Sequence, residues 1–156
     1  GTPKQVLDPV IANQVLHMMQ TVTEPGGTAT QAAILGYHVA GKTGTSRKAS
    51  AGGYSRRYIG YFAGLVPVDN PRFAMVVAVN DPTKGSYYGG IVSGPVFRNV
   101  MEGALRLMDV SPDNLDAWLA AQALAEAKRA KASGHAVPVQ AVADAGVAAA
   151  GAGVVQ

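Results

Sequence analysis

The sequence of 156 residues contains no cysteine and few charged residues. The absence of cysteine excludes disulfide bonds, thiolate metal sites and cysteine nucleophiles, but it does not fix the cellular compartment. Charged residues make up 15% of the chain. An average globular protein has about 25%, so a disordered polyelectrolyte is disfavoured. No uninterrupted apolar stretch approaches the ~18 residues that span a bilayer. The histidines, His17, His38 and His135, are too scattered to suggest a metal cluster.

Apolar spacing predicts a helix followed by strands in the first half of the chain. The stretch from Pro9 to Glu24 is predicted to be a helix, because Asp8 stands at an N-cap position and Pro9 at the first helical position. A short second helix is expected over 28–35. Strands are predicted over 39–46, 58–68 and 72–79, and the turn residues 68–71 make the last two an antiparallel hairpin. The apolar face of the first helix is predicted to comprise Val10, Ile11, Val15, Met18, Met19 and Val22.

Two more helices and a tail of low complexity are expected in the second half. One helix starts at 93–95 and ends at Met108; the next, capped by Ser111, runs from Pro112 to about Lys131. Beyond Ser133 the chain is mostly Ala, Gly and Val, which lack the side chains needed to offset ordering entropy, so a disordered tail is expected. The helix at 93–108 has a predicted buried stripe of Val96, Val100, Met101, Ala104, Leu105 and Met108. The methionines predicted to lie in the core are Met18, Met19, Met101 and Met108.

These elements predict an α/β arrangement with three antiparallel strands flanked by helices. A sheet this small, covered by helix on one face, would leave apolar surface on the other face. The sequence therefore indicates part of a larger assembly.

Residues Gly36 to Thr43 match the P-loop pattern G-x-x-x-x-G-K-[ST]. A P-loop needs a glycine-rich turn that leads into the N-terminus of a helix, where backbone N–H groups bind phosphate. Here the loop positions are Tyr, His, Val and Ala, and the residues after Thr43 lack helical periodicity. A nucleotide-binding domain therefore remains only an alternative, which a helix starting at Thr43 would support.

A second alternative is a basic fragment that binds nucleic acid. Residues 42–57 contain five cations and no acid, namely Lys42, Arg47, Lys48, Arg56 and Arg57, and the tyrosines Tyr54, Tyr58 and Tyr61 are interleaved with them. The net charge of +3 is modest, however. The two later tyrosines are also explained as strand residues.

Lys42-Thr43-Gly44-Thr45 forms the Lys-Thr-Gly motif found in β-lactamases and penicillin-binding proteins. The motif lies on a predicted strand, and the strand hairpin and a helix follow it directly. From Tyr37 to Asn114 the chain resembles the C-terminal end of the transpeptidase domain of class B penicillin-binding proteins. It is most similar to the septal, cell-division group of Gram-negative bacteria often called penicillin-binding protein 3. The segments that carry the resemblance are 38–46, 61–64, 72–77, 80–82, 87–90 and 93–97.

The resemblance implies the C-terminal portion of a serine β-lactamase- and transpeptidase-like fold. Its antiparallel sheet, made of the Lys-Thr-Gly strand and the hairpin, would be flanked by helices. In this interpretation residues 1–110 are the C-terminal part of the transpeptidase domain, 111–132 are a helical extension and 133–156 are the tail.

The resemblance also implies an activity, that of a serine-type D,D-transpeptidase. Such an enzyme cross-links peptidoglycan stem peptides in septal wall synthesis and cell-shape maintenance, reacts covalently with β-lactams, and uses no metal or cofactor. The nucleophile of the family belongs to a Ser-x-x-Lys motif, followed by a Ser-x-Asn motif, and no serine of this chain fits either pattern. We therefore expect an upstream half that carries both motifs to be a partner, and this chain alone to be inactive.

Partners and location are implied in the same way. Stem peptides, β-lactams and division-complex proteins are expected partners, and nucleic acid is not. The family works at the periplasmic face of the bacterial inner membrane.

The resemblance assigns roles around the Lys-Thr-Gly strand. Lys42 would supply positive potential and help to move a proton, and the backbone N–H of Thr45 would be an oxyanion-hole donor. The hydroxyls of Thr43 and Thr45 would bind the substrate carboxylate, and Gly44 would leave the strand open to substrate backbone. The other residues expected to contact substrate or β-lactam are Ser46, Arg47, Tyr87 and Tyr88.

Overall fold

The computed structural model describes residues 4–132, so the predicted tail lies outside the described residues. A boundary between two compact units falls after Asp116. No helix within 4–132 is long and apolar enough to cross a membrane.

The elements are α1 Pro9–Gln20, β1 Ala40–Ser50, β2 Gly53–Val66, β3 Phe73–Asn80, α2 Gly89–Val92, α3 Gly94–Leu107 and α4 Leu115–Ala132, with short 3₁₀ turns at Thr21–Thr23 and Thr30–Ala32.

Helix α1 begins where the sequence predicts. The Asp8 carboxylate accepts hydrogen bonds from the backbone N–H groups of Val10 at 2.8 Å and Ile11 at 3.4 Å, as an N-cap residue does. The helix ends at Gln20, before its predicted end, because the chain tightens there into the 3₁₀ turn Thr21–Thr23.

The predicted apolar face of α1 is only partly right: Val22, in the 3₁₀ turn that follows the helix, is buried, and Met19 is partly buried. Val10 and Met18 are more than half exposed, whereas Ala12, Leu16 and Met19 are partly buried. Apolar side chains occur on more than one side of this helix, so their spacing alone could not select the side that packs.

Two further predicted helices are shorter than expected. Only the 3₁₀ turn Thr30–Ala32 forms within 28–35, because Ile34 pairs back with Tyr37 in an isolated bridge.

Helix α4 begins at Leu115, and the predicted cap at Ser111 is wrong. The reason is Asp113, whose carboxylate accepts the backbone N–H groups of His38 at 2.7 Å, Val68 at 3.1 Å and Asp69 at 3.4 Å.

The described strands form one antiparallel sheet in the order β1–β2–β3, which confirms the predicted hairpin. Strand β1 lies at one edge. Strands β1 and β2 are longer than predicted, and β3 pairs only with residues 59–66 of β2. Residues 46–58 therefore form a two-stranded hairpin that extends beyond the end of β3, where no third strand of the described residues pairs with it.

Helix α3 covers one face of the sheet and closes the core. Phe97 meets Phe62 of β2 edge to face, with ring centroids 4.9 Å apart. Met101 and Leu105, one and two turns further along α3, are buried with them. The core cluster as a whole comprises Val22, Ala29, Ala32, Ile34, Val39, Phe62, Val66, Phe97, Met101 and Leu105.

The predicted stripe of α3 is therefore only partly right. Met101 and Leu105 are buried, but Val96, Val100 and Met108 are exposed. The buried positions follow Phe97 at intervals of four residues, because Phe97 is the side chain that reaches Phe62. Of the methionines predicted to be core, Met101 is buried, Met19 is partly buried, and Met18 and Met108 are exposed.

The opposite face of the sheet carries apolar surface, as expected for a small sheet covered on one side. Val76 of β3 is 68% exposed. An open cavity of about 300 Å³ lies on this side of the sheet. Its lining residues are Met19, Ala40, Ala63, Gly64, Leu65, Ala74, Met75 and Val76.

Candidate active site

The Lys-Thr-Gly residues lie in the first half of the edge strand β1. Lys42 pairs with Ala63 of β2, and Thr45 pairs with Gly60. The P-loop alternative is therefore wrong, because the residues that would form the phosphate-binding turn and open a helix continue as strand instead.

Strand geometry directs Thr43, Thr45 and Arg47 to the face that carries α3 and α2. The Thr43 Oγ1 lies 3.1 Å from the Thr28 Oγ1. The Thr45 Oγ1 accepts a hydrogen bond from the backbone N–H of Gly89 at 3.2 Å. Both hydroxyls are thus held by neighbours on the same side of the strand.

Lys42, Gly44 and Ser46 point to the other face. The Lys42 Nζ donates to the Thr43 carbonyl oxygen at 2.7 Å, and the Ser46 Oγ donates to the Tyr61 hydroxyl at 3.4 Å. Lys42 also borders an open cavity of about 330 Å³ beside the end of α1. That cavity is lined by Val15, Met18, Met19, Thr21, Val22, Gly27, Thr28, Gly41 and Lys42.

Glycines allow the start of α2 to lie directly on the strands. A Cβ atom at Gly89 would collide with the carbonyl oxygens of Tyr61 and Gly44. A Cβ atom at Gly60 would come within 2.6 Å of the Val92 side chain. This close approach brings the Gly89 N–H within reach of Thr45.

A group of aromatic rings stands beside the outer end of the motif. The rings of Tyr58 and Tyr87 stack with centroids 4.1 Å apart and planes 11° apart. Tyr88 lies against Tyr87 at 4.7 Å. The Arg47 guanidinium carbon is 5.8 Å from the centre of the Tyr58 ring. A hydrogen bond with Tyr88 and the neighbouring tyrosines raise the pKa of Tyr87, and Arg47 opposes that rise.

The basic segment is largely paired within the chain. Arg57 Nε lies 2.6 Å from the Asp81 carboxylate, and the Lys48 Nζ donates to the Asn80 side chain at 2.9 Å. With Arg47 over Tyr58, these contacts occupy cations that a nucleic-acid surface would need to present. They favour a structural role for the segment over the nucleic-acid alternative.

His38, Asp69 and Asp113 form a group in the described residues whose ligand atoms lie within 4.8 Å of one another. The sequence did not predict this group, because its members are far apart along the chain. The Asp113 carboxylate already accepts three backbone N–H groups, so it serves to join the 110–114 segment to the residues that precede β1 and follow β2.

Comparison with known proteins identifies the family. Residues 2–102 match the family described as penicillin binding protein transpeptidase domain. The chain belongs to this transpeptidase family. The apo structure of the TP domain of Burkholderia pseudomallei penicillin-binding protein 3 matches this transpeptidase chain with a TM-score of 0.66 and 41% identity, over 72% of this chain and 34% of that one. The sheet and its helices are therefore part of the transpeptidase fold.

Curated relatives support a position near penicillin-binding protein 3. The transpeptidase chain is 50% identical to peptidoglycan D,D-transpeptidase FtsI of Escherichia coli K12 over 113 residues. The matched segment makes up 72% of this chain and 19% of that protein. It is 43% identical over 113 residues to probable peptidoglycan D,D-transpeptidase PbpC of Pseudomonas aeruginosa, 72% of this chain and 20% of the relative. The chain thus spans about a fifth of the length of these relatives.

The structure brings most of the predicted site residues of the transpeptidase chain together. Thr45 is bonded to Gly89, which directly follows Tyr88, and Arg47 approaches the same rings through Tyr58. Lys42 and Ser46 lie on the other face of β1. Sequence reasoning did not predict Tyr58 as a site residue and explained it as an ordinary strand residue; its ring contacts with Tyr87 and Arg47 distinguish it.

Proposed function

We propose that this chain forms one wall of the active site of a peptidoglycan D,D-transpeptidase of the septal type. The observation that supports this is the 42–47 part of the edge strand β1, with the 87–90 segment fixed beside it. The substrate class is stem peptides that end in D-alanine, and β-lactams are the covalent inhibitors. The chain would act at the periplasmic face of the inner membrane, with division proteins as partners.

The reaction is acyl transfer. A serine Oγ attacks the substrate carbonyl carbon, the C–O bond forms, and the C–N bond to the terminal D-alanine breaks as that amine takes a proton. An amine of a second stem peptide then displaces the serine. No serine of the 156 residues has a lysine three positions later. We therefore propose that the nucleophile comes from residues outside this chain.

The strand would contribute charge and hydrogen bonds. Lys42 is proposed to supply positive potential and help to move a proton. Alternate residues of an edge strand direct N–H groups away from the sheet, and the Thr45 N–H is proposed to stabilise the oxyanion. Gly44 would leave room for substrate backbone to pair with the strand.

The rim of the site would bind the ends of the ligand. The hydroxyls of Thr43 and Thr45, with Arg47, are proposed to bind the carboxylate of a β-lactam or of D-alanine. Tyr87 and Tyr88 would contact the acyl side chain. Ser46, on the same face of β1 as Lys42 but further along the strand, would add a hydroxyl to the polar lining.

The test is a fluorescent-penicillin labelling gel on a complete domain. It is assembled by joining this whole chain to the part of E. coli FtsI that precedes the matched segment, here called the FtsI chimera. The chimera is expected to take the label, and Lys42→Ala is expected to lose most of it, whereas Lys128→Ala on α4 is expected to keep it. A folded chimera without label, or with label independent of Lys42, would contradict the proposal.

A further inference from the structure

The loop 81–88, which carries Tyr87 and Tyr88, is held at both of its ends. At its end, the Gly89 N–H donates to the Thr45 Oγ1 at 3.2 Å. At its beginning, the Asp81 N–H donates to the Tyr58 carbonyl oxygen at 2.8 Å. Asp81 also has a φ of 56°, in the left-handed region that residues other than glycine seldom adopt. The chain therefore leaves β3 through a conformation that needs support from its surroundings.

Two cations of the extended hairpin supply that support. Arg57, from β2, places its Nε 2.6 Å from the Asp81 carboxylate. Lys48, from β1, donates to the side chain of Asn80 at 2.9 Å. Consecutive residues at the end of β3 are thus bound by the part of the hairpin that extends past β3.

The same stretch of β2 also contacts the far end of the loop. Tyr58 follows Arg57 directly, and its ring stacks on Tyr87 at 4.1 Å. Arg57 and Tyr58 together therefore hold the beginning of the loop and its aromatic end in one arrangement. The side chains of Arg57 and Asp81 are 60% and 29% exposed. An exposed pair of this kind contributes little to global stability, so its effect is expected to be local.

We propose that Arg57 and Asp81 are positioning residues that hold the 81–88 loop in place and so set the affinity of the site for the acyl side chain of its ligand. They act through Tyr87 and Tyr88 and do not themselves touch the reacting atoms. This inference rests on the proposed function, in which those tyrosines contact the ligand side chain.

The first experiment measures order in the loop without a ligand. Amide hydrogen exchange of Gly89 is followed by NMR in the full 156-residue chain. Arg57→Ala and Asp81→Asn are expected to speed exchange about three- to fivefold, in keeping with an exposed ion pair. Asparagine tolerates the left-handed conformation, so Asp81→Asn removes the charge without straining the backbone. Arg57→Lys is expected to restore slow exchange, and Arg56→Ala, at the neighbouring exposed arginine, to leave it unchanged.

The second experiment separates affinity from chemistry in the FtsI chimera. Its ligands are benzylpenicillin and 6-aminopenicillanic acid, which lacks the acyl side chain. Arg57→Ala and Asp81→Asn are expected to raise the dissociation constant of benzylpenicillin about three- to fivefold and to leave the acylation rate constant unchanged. The constants for 6-aminopenicillanic acid are expected to stay the same. The double variant is expected to be no weaker than either single variant, because both remove one interaction.

Each result decides a different claim. Exchange at Gly89 that is unchanged by both substitutions would overturn the positioning role, whatever the labelling shows. Equal losses for the two ligands would overturn the role in side-chain affinity. A parent chimera that takes no label would contradict the proposed function, while the exchange measurement would still decide whether Arg57 and Asp81 position the loop.

Discussion

The hydroxyl of Thr45 can bind two partners at once, because a hydroxyl group has one proton and two lone pairs. Its oxygen accepts the Gly89 N–H at 3.2 Å, which leaves its own proton free to be donated elsewhere. Thr45 lies on the exposed part of the edge strand. In the proposed function that proton is donated to the ligand carboxylate, so the bond from Gly89 orients a donor toward the ligand.

Thr45→Val in the FtsI chimera tests this role, because valine keeps the shape and removes the hydroxyl. A hydrogen bond to a charged group contributes about 1.5–3 kcal/mol, so labelling by fluorescent penicillin is expected to slow at least about tenfold. Thr45→Ser keeps the hydroxyl and is expected to retain most of the rate. Equal rates for the valine and serine variants would contradict the role of the hydroxyl.

Tyr37 links folding to pH. Its hydroxyl donates to the Val110 carbonyl oxygen. Burial, followed by the charges of Asp113 and Asp109, raises its pKa above the ordinary value of 10.0. The folded state therefore holds this proton more tightly than the unfolded state. Its contribution to stability is complete below the unfolded pKa and is lost as pH rises through the raised, folded pKa.

Urea unfolding from about pH 8 to about pH 11 measures this contribution in the full chain. The free energy of unfolding is expected to fall more steeply at high pH in the unmodified chain than in Tyr37→Phe, which has no proton to lose at this position. The other tyrosines titrate in both proteins and serve as an internal control. Parallel pH curves would show that Tyr37 is not responsible.

At the scale of elements, the face that α3 buries depends on Phe97. Replacing this fully buried ring by alanine removes its edge-to-face contact with Phe62 and leaves a cavity in the core. Phe97→Ala is expected to lower the free energy of unfolding by about 3–5 kcal/mol, measured by urea denaturation. Val96→Ala, at the adjacent position that is 44% exposed, is expected to cost less than about 1 kcal/mol. A larger loss at Val96 would instead support the stripe that periodicity predicted.

Local chemistry accounts for the elements that the sequence predicted correctly. Asp8 and Pro9 mark the start of α1, and the β-branched runs around the turn 68–71 specify the β2–β3 hairpin. Boundaries that depend on distant partners were not predictable. Helix α4 starts late because the Asp113 carboxylate is bonded to backbone groups at 38, 68 and 69, which no pattern near residue 113 reveals.

The predicted site residues show the same contrast between local sequence signals and contacts with distant residues. The Lys-Thr-Gly strand and the Tyr87 and Tyr88 pair were predicted as site residues because each is a contiguous run that resembles a known family. Tyr58, Arg57 and Asp81 were not predicted, since their contacts depend on which residues face one another where β2 passes the end of β3. Resemblance predicted the strand as part of the site, whereas the contacts beside it appear only in the fold.

At the scale of the whole molecule, the two faces of the sheet are unequal. One is covered by α3 through Phe62, Phe97 and their neighbours. On the other, the apolar side chains around Leu65 and Val76 line an open cavity that α1 reaches only through Met19. Exposed apolar surface of this kind favours association, so the second face is expected to be covered when the chain is part of a complete transpeptidase domain.

Val76→Lys tests that expectation, because a charge on this face should make the chain alone less prone to associate but should impair folding of the complete domain. In the 156-residue chain alone it is expected to lower self-association, measured by analytical ultracentrifugation, since the apolar patch is interrupted. In the FtsI chimera it is expected to lower the yield of folded, penicillin-labelled protein, because a buried unpaired ammonium is costly. Ala51→Lys, at the exposed hairpin turn, is the control and should change neither. A chimera that tolerates Val76→Lys would show that this face stays in contact with water, and the complete domain would then have to be built on other surfaces of the chain.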